Sequence, residues 1–312
     1  MLSRSSRRSF LAGAGCAALA ASIASRRASG ASGGAGGLRF GYAAITWGKD
    51  GQQAIEDISA AGYPGIQLRS DAITAFQPAQ LRDILRQHKL NFVALSSGDL
   101  LTDPAVEAEQ LAKHTANAKF LRDSGGLYLQ ILDQMKNWPR TVTPDEAVRL
   151  GKLLTELGRR TADLGIPLVY HNHLNTISER PANLDIVMEN SDPKYVKLLL
   201  DTAHSVGGGG DPASAIRKYR DRIILLHLKD LADIQMGDKD KYPFQFVELG
   251  RGRVDLLSVF TALEKVKFQG WAVVELDRVP NDATTPKKSA MISRKYLEDK
   301  LGAKFAPARG TI

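Results

Sequence analysis

The sequence predicts an α/β protein, a closed (β/α)8 TIM barrel. Three observations point there. A short apolar strand alternates with a helix-period segment eight times from residue 38 onward. The eight units fill about 260 residues, the usual size of such a barrel. No Gly-rich turn follows the first apolar run, where an open doubly wound sheet would carry one.

The first strand is expected over 38–45, followed by a helix over 52–61 that Gly62 stops. A strand at 65–69 leads to a helix at 78–88, and a strand at 91–96 to a helix at 104–122. The fourth strand, 126–132, precedes a long amphipathic helix over 144–164 closed by Gly165. Strand 166–170 is paired with helix 181–189. Strand 196–200 is paired with helix 211–219, which has Asp211 as cap and Pro212 in its first turn. Strands 223–226 and 271–274 precede helices 255–266 and 286–300. The glycines at 207–210 read as a mobile loop near the mouth.

The chain has 312 residues, 43% of them hydrophobic, enough for a sizeable core. Its formal charge of +8 is unevenly spread. Arg4, Arg7, Arg8, Arg26 and Arg27 lie in the first thirty residues, which hold no acid, and without them the charge is +3. That balance argues against a nucleic acid partner. The single cysteine, Cys16, also lies in this leader, so the rest of the chain offers no disulfide and no thiolate ligand.

Residues 1–37 are read apart from the barrel at 38–312. Arg7 and Arg8, then Phe10 and Leu11, precede a mildly apolar Ala/Gly-rich run to about Ala24. This resembles a twin-arginine signal, with residues 25–37 as a flexible tether. A disordered basic N-terminus is the alternative. The run is too short and too rich in Gly and Ala to act as a stable membrane anchor. A periplasmic or secreted protein is therefore expected. Its partner during export would be the twin-arginine translocase, which carries folded proteins.

Four strands change character at their C-terminal ends. Strand 166–170 runs into His171, Asn172 and His173, and strand 196–200 into Asp201 and His204. Strand 223–226 runs into His227 and Lys229, and strand 271–274 into Glu275 and Asp277. In a barrel these ends share one mouth. The earlier strands bring Trp47, Gln67, Arg69 and Gln130 to the same rim. Imidazole and carboxylate without thiolate suit a divalent ion such as Mn, Co, Zn, Fe or Mg. Each residue also has a plainer use. A single His is commonly a hydrogen-bonded core residue. Asp201 would serve as a turn cap, Glu275 as a partner for Arg253 or Lys229, and Trp47 as a core side chain. Four neighbouring strands ending this way would bury several polar groups together, at several kcal/mol unless an ion satisfies them.

These motifs resemble the xylose isomerase-like barrel superfamily. They are Tyr-His-Asn-His at 170–173, Leu-Asp-Thr-Ala-His at 200–204, Leu-His-Leu-Lys-Asp at 226–230, Glu-Leu-Gly-Arg-Gly at 248–252 and Val-Glu-Leu-Asp at 274–277. The resemblance implies a metal held on four successive strands by a Glu, an Asp, a His and a Glu. Asp201, His227 and Glu275 match the last three places. His171 stands where the epimerases have Glu, and His173 competes for that coordination position. The resemblance further implies a metal-dependent sugar isomerase or epimerase acting on a keto-sugar through a metal-stabilised enediolate. A metal-dependent lyase or dehydratase on a keto-sugar, inosose or 3-keto-glycoside is the alternative, and the missing Glu leans towards it. A non-catalytic sugar-binding barrel and an endonuclease IV-like hydrolase are further alternatives.

His173 or His204 is the expected acid/base, Lys229 the group that steadies an oxyanion, and Glu275 both ligand and base. Trp47, Arg69, Gln130 and Arg251 are the expected substrate contacts. The sequence is compatible with an oligomer.

Overall fold

The computed structural model describes residues 37–133, 141–237, 241–280 and 284–308. The segment expected to be a twin-arginine signal and most of the expected tether, residues 1–36, lie outside the described residues. The barrel strands are β1 (Leu38–Ala43), β2 (Gly65–Arg69), β3 (Asn91–Leu100), β4 (Tyr128–Asp133), β5 (Leu168–His171), β6 (Val196–Asp201), β7 (Ile223–Leu228) and β8 (Gly270–Val274). They close into a parallel barrel in which each strand pairs with its sequence neighbours and β1 pairs with β8. The outer helices are α1 (Gly51–Ala60), α2 (Pro78–Gln87), α3 (Glu107–Asp123), α4 (Pro144–Asp163), α5 (Pro181–Glu189), α6 (Pro212–Lys218), α7 (Leu256–Lys265) and α8 (Pro286–Leu301). Among the described residues no helix is long and apolar enough to cross a membrane.

Local chemistry explains the helices. In α4, Thr143 and Glu146 form a reciprocal capping box and Pro144 fills the first turn. Its buried Ala147, Leu150, Leu154 and Leu157 recur every three or four positions, so one face meets the strands. Asp211 caps α6 by accepting from the Ala213 and Ser214 amides.

Strand alternation positions the site. Alternate side chains of a barrel strand face the axis. Val169, Leu199, Leu225 and Val273 belong to one buried cluster with Trp271, Ala43, Val93 and Ala94. Two residues further along the same four strands come His171, Asp201, His227 and Glu275. The register supports this layering. Asp201 is paired with His227, His227 with Val273, and His171 with Leu199. An apolar floor therefore passes directly into a ring of ligand-type groups.

The structure departs from the sequence expectation in four places. The first strand ends at Ala43, and Ala44–Trp47 form a 3-10 turn. β3 runs to Leu100 through an irregularity between Ser96 and Asp99, where Gly98 takes φ +86°. Buried His114 of α3 braces that extension, pairing with Ser97 Oγ at 2.7 Å and with the Asp99 carbonyl at 3.2 Å. A hairpin unread in the sequence, Asp230–Asp233 with Phe244–Val247, follows β7. Finally, residues 207–210 are not an open loop. Thr202–Gly207 form a short helix capped by Asp201, and Gly208 packs so tightly that a Cβ there would lie 2.0 Å from the Glu179 carbonyl.

Candidate metal centre

Among the described residues, the buried atoms without a hydrogen-bond partner include three of ligand type at the barrel mouth: His171 Nε2, Asp201 Oδ2 and His227 Nδ1. They face one another. Asp201 Oδ2 is 3.5 Å from His171 Nε2 and 3.6 Å from His227 Nδ1, and His227 Nδ1 is 3.5 Å from Glu275 Oε1. Donor atoms bonded to one ion at about 2.1 Å in tetrahedral array stand about 3.4 Å apart. The observed edges match that spacing. Two sets of donors, Asp201 with His227 and Glu275, and Asp201 with His171 and His204, lie within 4.8 Å inside each set. Burying an orphaned carboxylate oxygen costs several kcal/mol, and a cation at this point satisfies all three orphans together. The donor set of imidazole and carboxylate therefore fits a divalent ion.

Asp201 divides its two oxygens between two tasks. Oδ1 accepts from the His204 amide at 2.8 Å and caps the short helix, which leaves Oδ2 for the mouth. The sequence alternatives of cap and ligand are thus both open to one side chain. Burial alone would raise its pKa, but His204, His171, His227 and Lys229 hold it well below the usual carboxylate range. Glu275 behaves likewise: burial is opposed by His227 and Lys229, and its pKa lies well below the ordinary value. Burial would lower the His227 pKa, yet Glu275 and Asp201 push it up to about 9. The array of anions is strongly cation-seeking.

Lys229 is wholly buried. Its ammonium donates to Glu275 Oε1 at 3.1 Å and Asp277 Oδ1 at 2.5 Å, and lies 3.2 Å from His204 Nε2. The Phe246 ring covers it at 4.1 Å. It is thus an ion-paired group and not a solvated surface lysine. Burial acts to lower its pKa, but Asp277, Glu275 and Asp201 reverse that and raise it. His173 and His204 lie against each other with ring centroids 3.6 Å apart. Burial, with His171 and Lys229 nearby, lowers the His173 pKa to about 4, and burial beside His173 lowers that of His204 well below its ordinary value. Both rings are neutral near neutral pH, which suits accepting a proton better than donating one. His173 Nδ1 is bonded to the Leu174 carbonyl at 2.7 Å, so its Nε2 is the free nitrogen.

Two glutamines hold the ligand rings, and sequence reasoning missed one of them as a site residue. Gln67 Oε1 lies 2.9 Å from His227 Nε2, so the ring donates there and its Nδ1 is the nitrogen turned to the mouth. Gln130 contacts His171 Nδ1 at 2.9 Å through Nε2, while its own Oε1 has no partner. The two ends of an amide are alike in shape. With Oε1 turned to the ring, His171 Nδ1–H donates to it and His171 Nε2 is released as a ligand. Gln130 was expected to touch substrate, and the structure puts it against His171. The signal available in the sequence was its position: Gln67 follows Ile66 and precedes Leu68, and Gln130 lies between Leu129 and Ile131, so each is a lone amide in an apolar run. Gln67→Leu is expected to weaken divalent-ion affinity by about 10–100-fold without unfolding the barrel, as read by competition with a chromogenic chelator.

The remaining expected substrate contacts are Trp47, Arg69 and Arg251, of which Trp47 and Arg251 have other partners in the structure. Trp47 donates its indole N–H to Asp57 at 2.9 Å and meets Tyr42 edge-on, so it is tied to α1 and the core. Arg69 is exposed at the end of β2, in a shallow cleft with Leu68, Ala72 and Phe76 that contains none of the clustered ligands. Arg251 is about half exposed and pairs with Glu248 at 3.3 Å. The Glu-Leu-Gly-Arg-Gly turn is organised by Asp230, whose carboxylate accepts from the amides of Leu231, Gly250, Gly252 and Val254. A Cβ at Gly252 would sit 2.2 Å from that carboxylate. The ligand that its glycines admit is therefore a side chain of this protein.

A family model described as xylose isomerase-like TIM barrel matches residues 55–299. Inosose dehydratase of Lacticaseibacillus casei is 29% identical over 292 residues, covering 84% of this chain and 96% of the relative. The inosose dehydratase of Geobacillus kaustophilus is 28% identical over 291 residues, covering 83% and 94%. Among solved structures, the IOLI protein with a bound zinc atom superposes with a TM-score of 0.70 at 19% identity, over 86% of this chain and 99% of that one. An L-ribulose 3-epimerase gives 0.70 at 18% identity, over 85% and 95%. At those identities the structural likeness establishes the shared barrel.

Proposed function

The chain belongs to the xylose isomerase-like TIM barrel family, and from that premise we propose that it is a divalent-metal-dependent dehydratase of a cyclic keto-polyol, an inosose or a keto-sugar. The observation that carries the reading is Asp201, which shares one set of donors with His227 and Glu275 and another with His171 and His204, with Lys229 touching both Glu275 and His204. The likeness to inosose dehydratases along most of both chains supports the same choice.

His171, Asp201, His227 and Glu275 would hold the ion, whose contribution when bound is Lewis acidity towards a substrate carbonyl. Glu275 takes the proton from the carbon next to that carbonyl, and the electron pair moves onto the carbonyl oxygen as an enolate. Collapse of the enolate forms the carbon–carbon double bond and breaks the bond to the β-hydroxyl. That hydroxyl gains a proton from the Lys229 ammonium, which takes the abstracted proton from Glu275, and leaves as water. Lys229 is suited to pass the proton across, because its ammonium spans the base at 3.1 Å and the imidazole at 3.2 Å. Its position beside Glu275 also opposes charge building up on a substrate oxygen. His173, neutral and partly open to the mouth, is suited to accept a hydrogen bond from a substrate hydroxyl.

Isomerisation or epimerisation would begin with the same abstraction but return a proton to carbon. Epimerisation also asks for a second carboxylate-like base facing Glu275. Among the described residues, the flank formed by His171, His173 and His204 is imidazole, which weighs towards elimination.

The test is incubation of metal-loaded protein with inosose, 3-keto-glycosides and ketoses in deuterated buffer, followed by mass spectrometry and proton NMR. The expected product is lighter than substrate by one water. A product of unchanged mass apart from one deuterium on carbon would point to an epimerase or isomerase instead.

A further inference from the structure

Lys229 Nζ is enclosed by atoms of the kinds that ligate metal ions. Its three polar neighbours are an imidazole nitrogen, His204 Nε2 at 3.2 Å, and two carboxylate oxygens, Glu275 Oε1 at 3.1 Å and Asp277 Oδ1 at 2.5 Å. An ammonium is donor-only, so His204 Nε2 presents its lone pair to the cation, as a ligating imidazole does. Three contacts use all three N–H groups, and the Phe246 face at 4.1 Å closes a further side. The ligand-type atoms at the mouth also exceed what one ion needs, since His204 forms a second donor set with Asp201 and His171. Finally, the charges balance in one way. Asp201, Glu275 and Asp277 carry three negative charges, which one divalent ion and one ammonium neutralise. Two divalent ions beside Lys229 would leave a buried excess of positive charge.

We infer that the Lys229 ammonium stands in the place of a second metal ion, so that this mouth binds one divalent cation and carries its other cation covalently. The ligands His204, Glu275 and Asp277 form a latent divalent site, blocked by a side chain of the same protein. Asp277 is about one-third exposed, so the latent site has a route to solvent once the side chain is removed. This rests on the metal reading above, and the experiment separates the two.

Zn2+ content is measured by plasma mass spectrometry on the full protein after equilibration with a small excess of Zn2+ and gel filtration. The wild type is expected to hold one Zn2+ per chain, Lys229→Ala two, and the double variant Lys229→Ala/Asp277→Asn one. Circular dichroism confirms folding, and Lys229→Ser, equally short and more polar, carries the same expectation if the alanine variant is poorly folded. A single Zn2+ in folded Lys229→Ala and Lys229→Ser, two in the wild type, or two retained in the double variant would each overturn the inference. Wild type without any Zn2+ would instead remove the metal reading on which it stands.

Discussion

Asp201→Asn is expected to yield a folded barrel that retains no metal and has lost at least about a thousand-fold in kcat/KM, or about 4 kcal/mol of transition-state stabilisation. The expectation follows from the division of labour in one carboxylate. Oδ1 accepts from the His204 amide at 2.8 Å, and an asparagine carbonyl does the same, since Asn is among the best helix caps. Oδ2 is the atom that faces His171 Nε2 and His227 Nδ1 without a partner. Replacing it by an amide nitrogen points a donor at those ring nitrogens and removes the negative charge that both donor sets share. In the fold Asp201 is held ionised by His204, His171, His227 and Lys229, so the metal-free variant should melt below the metal-free wild type near neutral pH. Metal content, kcat/KM and Tm in chelator are the three readouts. A variant that kept its ion and its activity would show that Asp201 is a cap and nothing more.

Glu275→Gln should separate binding from chemistry. Glutamine keeps an oxygen able to reach an ion but cannot take up a proton, so its cost should fall on turnover. At saturating metal and substrate, kcat is expected to fall by about 10²–10⁴-fold, the range for loss of a general base. Metal affinity should fall by a smaller factor, because His171, Asp201 and His227 remain. Lys229 keeps its bond to Asp277 at 2.5 Å, so the fold should tolerate the change. Deuterium exchange at the substrate carbon, followed by NMR, checks the step directly. Exchange at the wild-type rate would move the base to His173 or His204.

The barrel was legible because its punctuation is strong. The strand over 65–69 and the helix over 181–189 begin and end where Gly, Pro and the apolar period say they should. The hairpin after β7 was not legible because its strands are four residues long, and because Asp230, at the start of the first, spends its carboxylate on the amides of Leu231, Gly250, Gly252 and Val254. The chemistry-bearing strand ends stood out as apolar runs turning polar at His171, Asp201, His227 and Glu275. What a one-dimensional reading lacks is the direction of an atom. It cannot show that Asp201 spends one oxygen on a cap and leaves the other bare. Nor can it show that Gln67 and Gln130 contact rings on strands far away in the chain, or that Lys229 is enclosed by two carboxylates and Phe246. Nor can it show that the backbone amides of Gly250 and Gly252, on either side of Arg251, are taken up by the carboxylate of Asp230.

Anomalous diffraction from crystals of the metal-loaded protein tests the central claim most directly. One peak per chain is predicted at the barrel mouth, in contact with His171 Nε2, Asp201 Oδ2, His227 Nδ1 and the Glu275 carboxylate. A mouth without a peak, its Asp201 Oδ2 bonded to protein groups instead, or a peak bound only by other residues, would contradict the account.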